Sequence, residues 1–542
     1  MSASREKQNR QAAAGQTDPK TAREARQRKE EKRTNLLYGV IAAAVLVAVI
    51  ASFVWRSDFI PKMTTAATID GEKYTVSEVN YYYQTSYRNF LSQYSYFASY
   101  LGLNTNATLR SQAISDTAAA MLGIELPEVS DEDAEAAAAD PDRDPLMPLG
   151  MTWHDYFLDD ALENMAAIQA ALKAADAEGF QYPAGVQAQY DDNMASLKSV
   201  ASASGVSVSQ YLKANFGAGL TEKVYGEQLM RVLRYGAYAD AHQDSVTYSE
   251  SELEEAYKAD PNTYDHVSYE VVSFSGAAES TTDADGNTVE PTEEESAAAL
   301  EAAKAAANTV LDGYKYCGDL EVLANENEGT YNQNEKGSYS AGSVMSEWLY
   351  NTARKPGDAE IVAEGTVQYM VVFHDRFRDE EPTIDIRHIL VSLGTGSIAE
   401  GEEGYEDEQA QLKADAHAKA EELLAQWTSG EATEDSFAAL AMKESADGSK
   451  YDGGLHTEVY QGQMVAEFND WCFDTSRQPG DTAVVDTQYG AHVMYFSGVN
   501  PLNRWQTQVA ANLRNEEFTA WESGLIENTP VQRNESGLKQ IG

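Results

Sequence analysis

Eight histidines, two cysteines and one acidic loop are the residues of this 542-residue chain whose types suit chemistry. Two cysteines are too few for a disulfide scaffold or a Cys-rich zinc module. Cys317 and Cys472 read as separate free thiols. The acidic loop is Asp283-Ala284-Asp285-Gly286-Asn287, with Glu294 at the twelfth position. A calcium loop needs Gly at its sixth position and an apolar residue at its eighth. Thr288 and Glu290 stand there, so the segment reads as a solvated hairpin insertion. His154, His242, His266, His374, His417 and His456 show no metal-ligand spacing. His388 and His492, each taken alone, read as buttresses of a small sheet. Any chemistry must therefore come from a constellation assembled across the chain.

The elements that could assemble one follow a change of charge near the N-terminus. The formal charge is -47, but residues 1–35 carry ten Lys/Arg and five Asp/Glu, leaving -52 on the rest. Leu36 to Trp55 is twenty residues without a charge, bracketed by Arg33 and Arg56. At about 1.5 Å per residue it spans about 30 Å, the hydrocarbon thickness of a bilayer. A cleaved signal would have only about 7–15 apolar residues after a short basic start. The reading is an uncut anchor with its basic N-terminal flank in the cytoplasm. Residues 57–542 then lie outside. The acid excess argues against nucleic acid, which needs a basic surface.

Outside the anchor, Asp70-Gly71 marks a hairpin turn, and Thr75-Val76-Ser77-Glu78 has capping-box spacing before a Tyr- and Phe-rich helix. Its rings occupy too many faces for one buried stripe, so some are expected to be exposed. Several helices fill the rest of 66–265, and 501–528 is a further amphipathic helix packing back on them. A polar, loose tail is expected to follow. Residues 267–500 contain an internal repeat. Trp348-Leu-Tyr-Asn-Thr-Ala-Arg-Lys-Pro-Gly-Asp358 and Trp471-Cys-Phe-Asp-Thr-Ser-Arg-Gln-Pro-Gly-Asp481 align without gaps, 123 residues apart. Each copy reads as a small α+β unit.

The second copy holds a series of weak motifs in a telling order. They are Arg387-His388-Ile389-Leu390-Val391, Phe437-Ala438-Ala439-Leu440-Ala441, Ser445-Ala446-Asp447 and Gly453-Gly454. Gly462-Gln463-Met464-Val465, Glu467-Phe468, Pro479-Gly480, Thr487-Gln488-Tyr489-Gly490 and His492-Val493 follow. Over 383–498 this series resembles a parvulin-type peptidyl-prolyl isomerase. The resemblance implies catalytic residues His388, Asp447, Thr487 and His492, and substrate-binding residues Met464, Phe468 and Val459. It implies no metal and no cofactor. Met464 and Phe468, four apart, are expected on one helix as an apolar floor for proline. The run Gly453-Gly454-Leu455-His456-Thr457-Glu458-Val459 departs from the family's Gly-Gly-Asp-Leu-Gly and alters one wall of that pocket. In the first copy Tyr269 aligns with His388 and Tyr369 with His492, so that copy is expected to keep the fold without the catalysis.

The whole layout resembles extracytoplasmic foldases of the PrsA and SurA type. The implied fold class is α+β. A single N-terminal transmembrane helix precedes a helical SurA-like chaperone domain and two tandem parvulin-like (FKBP-like α+β) domains, the first degenerate. The segments are a cytoplasmic tail 1–35, the anchor 36–55, a chaperone domain 66–265 completed by 501–528, a degenerate domain 266–380, the isomerase domain 383–498, and a helix and tail 501–542. The implied function is a membrane-anchored isomerase and chaperone for secreted proteins, in the cell membrane of a Gram-positive-type bacterium. The alternative is a non-catalytic holdase with a vestigial parvulin domain; a scaffold recruited through residues 1–35 is the weaker third. Implied partners are unfolded or newly secreted polypeptides with X-Pro bonds and the membrane; the layout leaves a homodimer open. The loop after His388 carries Glu402, Glu403, Glu406, Asp407 and Glu408. Those charges would repel phosphorylated or acidic substrates and favour cationic or neutral residues before proline.

Overall fold

The computed structural model describes residues 58–130, 135, 137, 139, 148–283 and 286–542. The anchor 36–55, the tail 1–35 and Asp285 of the acidic loop lie outside the described residues. Among the described residues no helix is long and apolar enough to cross a membrane. The chain divides into two units. One draws on Met1–Gln181, Tyr190–Tyr238 and Glu522–Gly542, the other on Tyr182–Gln189 and Ala239–Trp521.

In the first unit, strands β1 (Thr65–Ile69) and β2 (Glu72–Thr75) form the hairpin that Asp70-Gly71 predicts. Asp70 and Gly71 both have left-handed backbone, φ 48° and 83°, as a tight turn matched to strand twist requires. Thr75 then caps the helix Val76–Tyr94, its own N–H donating to Glu78 Oε2 at 2.7 Å. Tyr81, Tyr82 and Tyr83 point to three successive faces of this helix, yet all three are buried. Tyr81 stacks on Phe216, the Tyr82 hydroxyl donates to Gln228, and the Tyr83 hydroxyl meets His154. Helices cover these three from several sides, and the expected exposure is met farther along the segment, at Phe97. Exposed rings come only after the helix ends, at Tyr96, Phe97 and Tyr100. The tail is not loose either. Val531–Arg533 pairs antiparallel with β1, and Arg110 donates to the Ile541 carbonyl at 2.7 Å. Leu538 and Ile541, three apart, supply the apolar contacts that hold it down.

The second unit is built on two four-stranded antiparallel sheets. The first comprises β3 (Asp265–Ser275), β6 (Thr330–Gly337), β7 (Ala359–Glu364) and β8 (Val367–Arg378), in the order β6-β3-β8-β7. A small hairpin of β4 (Thr281–Thr282) and β5 (Thr288–Val289) branches from it; this is the predicted insertion, turned by the Asp283 carboxylate accepting from Asn287 N–H. The second sheet comprises β9 (Pro382–Ser392), β10 (Leu455–Val459), β11 (Thr482–Thr487) and β12 (Gly490–Asn503), in the order β10-β9-β12-β11. The two orders are the same, strand for strand. Each sheet buries one face under an Ala-rich helix. Ala303, Ala307 and Val310 pack on Val272, Met370 and Val372; Ala416, Ala420 and Leu423 pack on Ile389, Ala491 and Val493. Small residues let each helix sit close to its sheet.

The matched sequence stretch is a structural corner. Arg354 stacks over Trp348 at 4.0 Å, and Arg477 over Trp471 at 4.3 Å. Each guanidinium also donates to its Trp's carbonyl at 3.1 Å. Gly357 and Gly480 then donate to the Phe373 and Phe496 carbonyls at 2.8 Å, fixing the helix to the sheet.

The second unit also carries the helices Glu250–Ala259 and Pro261–Tyr264. Leu253 and Tyr264 pack there with Trp505 and Val509 of the helix Arg504–Glu527, and Arg378 stacks on Trp505 at 4.1 Å.

Candidate active site

The site is built on the face of the second sheet opposite its Ala-rich helix. Alternation along β9 puts Ile384, Ile386 and His388 on that face, and along β12 His492, Met494 and Phe496. His388 lies opposite Met494 and His492 opposite Leu390, so the imidazoles meet diagonally across neighbouring strands. Their Nδ1 atoms are 3.0 Å apart, and both rings are buried. His492 Nε2 lies 2.9 Å from Thr487 Oγ1. Burial, and then the neighbouring His388, push His492 down to about 4, so it is neutral at pH 7.

Asp447 comes from the turn after the helix Glu434–Glu444. It caps the short 3-10 turn Gly448–Asp452, accepting from Ser449 N–H at 2.8 Å and the Ser449 hydroxyl at 2.5 Å. Its carboxylate lies 3.5 Å from His388 Nε2. Hydrogen bonding to His388 and then to Ser449 outweighs burial and holds this carboxyl well below the usual range. It is therefore a charged, half-buried carboxylate beside a buried imidazole. The relay Thr487–His492–His388 ends at it.

Gly453 and Gly454 set this spacing. Gly454 has φ 74°, and a Cβ there would sit 2.2 Å from the His388 carbonyl. The His388 N–H donates to the Gly454 carbonyl at 2.9 Å. Only glycine lets the turn press this closely on β9. Arg387 adds two bonds from its guanidinium to the Asp452 and Gly453 carbonyls.

The apolar floor is Phe468, whose ring meets both imidazoles edge-on at 5.4 Å. Met464 is half-buried in the same cluster. It does not share a helix with Phe468: the helix runs Ala466–Cys472, with Val465 at its N-cap and Met464 in the turn before it. Val459, only 1% exposed, supports the cluster from within and presents no open surface. Cys472 is a buried free thiol, and burial pushes it up to about 12, so it has no nucleophilic part here.

One residue was missed by sequence reasoning. His456 on β10 turns toward His388, with the two Nε2 atoms 3.2 Å apart. Its Nε2 lies 4.0 Å from the Asp447 carboxylate. Burial and the adjacent His388 lower its pKa. His388, Asp447 and His456 thus bring three ligand-type atoms within 4.8 Å of one another, enough to hold a metal ion. The available signal was the altered run after Gly453-Gly454, which puts a histidine where the family has none.

The first sheet lacks this apparatus, and its register corrects the alignment. Val362 pairs with Tyr369 as Val485 pairs with His492, so Tyr369 does occupy the second histidine's place. But Val271 pairs with Val371 as His388 pairs with Met494, so the counterpart of His388 is Val271, not Tyr269. Matching Tyr269–Phe274 to His388–Leu393 by residue type is two residues out of register with the strand pairing, and both sheets carry the same bulge, at His374 in β8 and Ser497 in β12. The stretch bearing Asp447 is cut to Asn327, Glu328 and Gly329 between helix and strand.

Residues 370–498 match the family model described as the PPIC-type PPIASE domain. A search of curated proteins returns no match. Among solved structures, the peptidylprolyl isomerase PrsA from Bacillus anthracis is 22% identical over 30% of this chain and 63% of its own, with a TM-score of 0.17. This chain thus spans less than two thirds of that protein's length. PrsA from Bacillus subtilis is 12% identical over 70% of this chain and 87% of its own, with a TM-score of 0.27. A SurA-like chaperone of Campylobacter jejuni is 22% identical over 27% and 51%, with a TM-score of 0.16. The family match and the four-residue constellation within it carry the assignment: the chain contains a PPIC-type, that is parvulin-type, peptidyl-prolyl isomerase domain.

Proposed function

We propose that this chain is a membrane-anchored isomerase and chaperone that speeds X-Pro isomerisation in secreted proteins outside the cytoplasm. The observation that carries the reading is the buried Thr487–His492–His388 relay ending at the charged Asp447 beside the Phe468–Met464 floor. Rotation about an X-Pro bond faces a barrier of about 18–20 kcal/mol and takes tens to hundreds of seconds. No bond breaks, so the protein's task is to hold the ring and to favour the twisted amide over the planar one. The floor does the first and Asp447 the second. The uncharged run 36–55 supports anchoring, and the charge change across it supports an outer location.

Refolding of a proline-limited substrate with the full chain in detergent tests this. Acceleration is expected, with His388→Ala lowering it at least about tenfold, roughly 1.4 kcal/mol. No acceleration by the unmodified chain would overturn the isomerase reading. The holdase alternative has one observation in its favour, the exposed Tyr96, Phe97 and Tyr100. It predicts that aggregation is suppressed equally by the His388→Ala chain.

The acidic loop between β9 and the helix Tyr405–Ser429 bears on substrate choice. Glu408 is turned inward, capping Ser397 N–H and Ile398 N–H at 2.9 Å each. Glu402, Glu403, Glu406 and Asp407 remain exposed. A peptide series with Lys, Leu or Glu before Pro should show kcat/KM about three- to fivefold higher for Lys than for Glu at low salt, roughly 0.7–1 kcal/mol, and a smaller gap in high salt. Fastest turnover with Glu would refute the preference.

A further inference from the structure

We propose that His388, His456 and Asp447 form a divalent-cation site, selective for zinc-like ions, in the same pocket that would receive the proline peptide. The three side chains arrive from three separate elements: β9, β10 and the turn before Gly448–Asp452. Tetrahedral zinc, with Zn–N and Zn–O near 2.0–2.1 Å, holds neighbouring ligand atoms about 3.3 Å apart. The Nε2 atoms of His388 and His456 are 3.2 Å apart, and His388 Nε2 is 3.5 Å from the Asp447 carboxylate. The third edge, His456 to Asp447, is 4.0 Å and closes with a small rotation of either side chain.

The surroundings suit a metal. His388 uses Nδ1 toward His492, and His492 uses Nε2 toward Thr487. With His388 Nδ1–H donating inward, a metal would replace the Nε2 proton that faces Asp447, and the freed lone pair would be aimed at the ion between the other two groups. Such a hydrogen bond on the far ring nitrogen is the usual way a ligating imidazole is oriented. Two imidazoles and one carboxylate suit zinc, cobalt or nickel better than calcium or magnesium, which prefer oxygen. Three protein ligands leave a fourth position open, as in zinc sites that keep a water. Ser449, whose hydroxyl lies 3.4 Å from His388 Nε2, stands beside it.

A bound cation would neutralise Asp447 and take the lone pair of His388. If the isomerase reading above holds, on which this consequence rests, the metal switches the domain off. The sites for peptide and ion are then mutually exclusive.

The test uses the full chain in detergent, stripped of metal by a chelator and desalted. Cobalt(II) alone is titrated and followed by its visible absorption. One equivalent should bind with an intense four-coordinate spectrum, and zinc should displace it. His456→Ala should weaken cobalt binding more than the roughly 10–100-fold that loss of an outer-sphere partner costs. Absence of stoichiometric binding, or unchanged affinity in His456→Ala, would overturn the site. Should that variant misfold, zinc protection of His456 from diethyl pyrocarbonate in the unmodified chain decides the same point, and unaltered labelling rejects the site. The isomerase rate is read in parallel. Bound zinc with an unchanged rate rejects the switch and keeps the site; a metal-free chain without isomerase activity rejects the enzymatic reading and leaves the site standing.

Discussion

Asp447→Asn is expected to lower kcat/KM for an X-Pro peptide about 100-fold, roughly 2.7 kcal/mol, with most of the loss in kcat. The planar amide carries negative charge on its oxygen through resonance, and the twisted amide does not. A fixed carboxylate facing that oxygen therefore penalises the planar form more than the twisted one, which is a differential effect of the kind that raises kcat. Asp447 is suited to this because it stays ionised: its bonds to His388 and Ser449 hold its carboxyl well below the usual range. The substitution separates charge from structure. Asn is as good an N-cap as Asp. It can still accept from the Ser449 N–H and hydroxyl that now meet Asp447 at 2.8 and 2.5 Å. The melting temperature should therefore move by no more than about 2 °C, corresponding to roughly 0.5 kcal/mol. Asp447→Ala would lose the cap as well, at about 1 kcal/mol of stability. Full turnover in Asp447→Asn would refute the electrostatic role and leave Asp447 as a cap for the turn.

The parts legible in the sequence are those where one local signal forces one geometry. Asp70-Gly71 could hardly be other than a tight turn, and Thr75 with Glu78 is a reciprocal cap whatever surrounds it. The Trp–Arg–Pro–Gly–Asp stretch repeats because it is a self-contained corner, in which the Arg stacks on a Trp six residues away. Its fidelity across the copies reflects packing. The meeting of the candidate site residues was legible by family resemblance, since Thr487, His492 and His388 each recur within a recognisable motif and do meet in space.

What the sequence hid depends on distant packing or on register. The three adjacent tyrosines Tyr81–Tyr83 cannot share one helix face, and only the surrounding helices explain how all are buried. Leu538 and Ile541 give a polar tail just enough apolar surface to dock, which composition alone does not reveal. The counterpart of His388 in the first sheet is displaced by two residues because alternating apolar residues along β3 fit β9 equally well at either register, and only the pairing to β8 and β12 decides between them. His456 was overlooked because its partners lie on β9 and before the 3-10 turn. Spacing along the chain carries no information about a cluster closed by three elements.

Gly454→Ala is expected to destabilise the second parvulin-type sheet by about 3–5 kcal/mol and to abolish isomerase activity with it. Two costs combine. At φ 74° an alanine pays about 1–2 kcal/mol for its left-handed backbone. Its Cβ would also sit 2.2 Å from the His388 carbonyl oxygen and 3.2 Å from the Ala441 methyl. The first obstacle is backbone of β9, which is paired on both edges, to β10 and β12, and cannot yield as a long side chain could. Any relief must lengthen the bond from His388 N–H to the Gly454 carbonyl, now 2.9 Å, and so move His388 away from Asp447. The loss should appear as a fall of more than about 10 °C in the unfolding transition of the second unit. Gly448→Ala is the control, because a Cβ there meets nothing within 4 Å and its backbone is not left-handed. That variant should stay within about 0.5 kcal/mol of the unmodified chain. If Gly454→Ala melted and turned over like Gly448→Ala, the paired glycines would not be what sets the distance between His388 and Asp447.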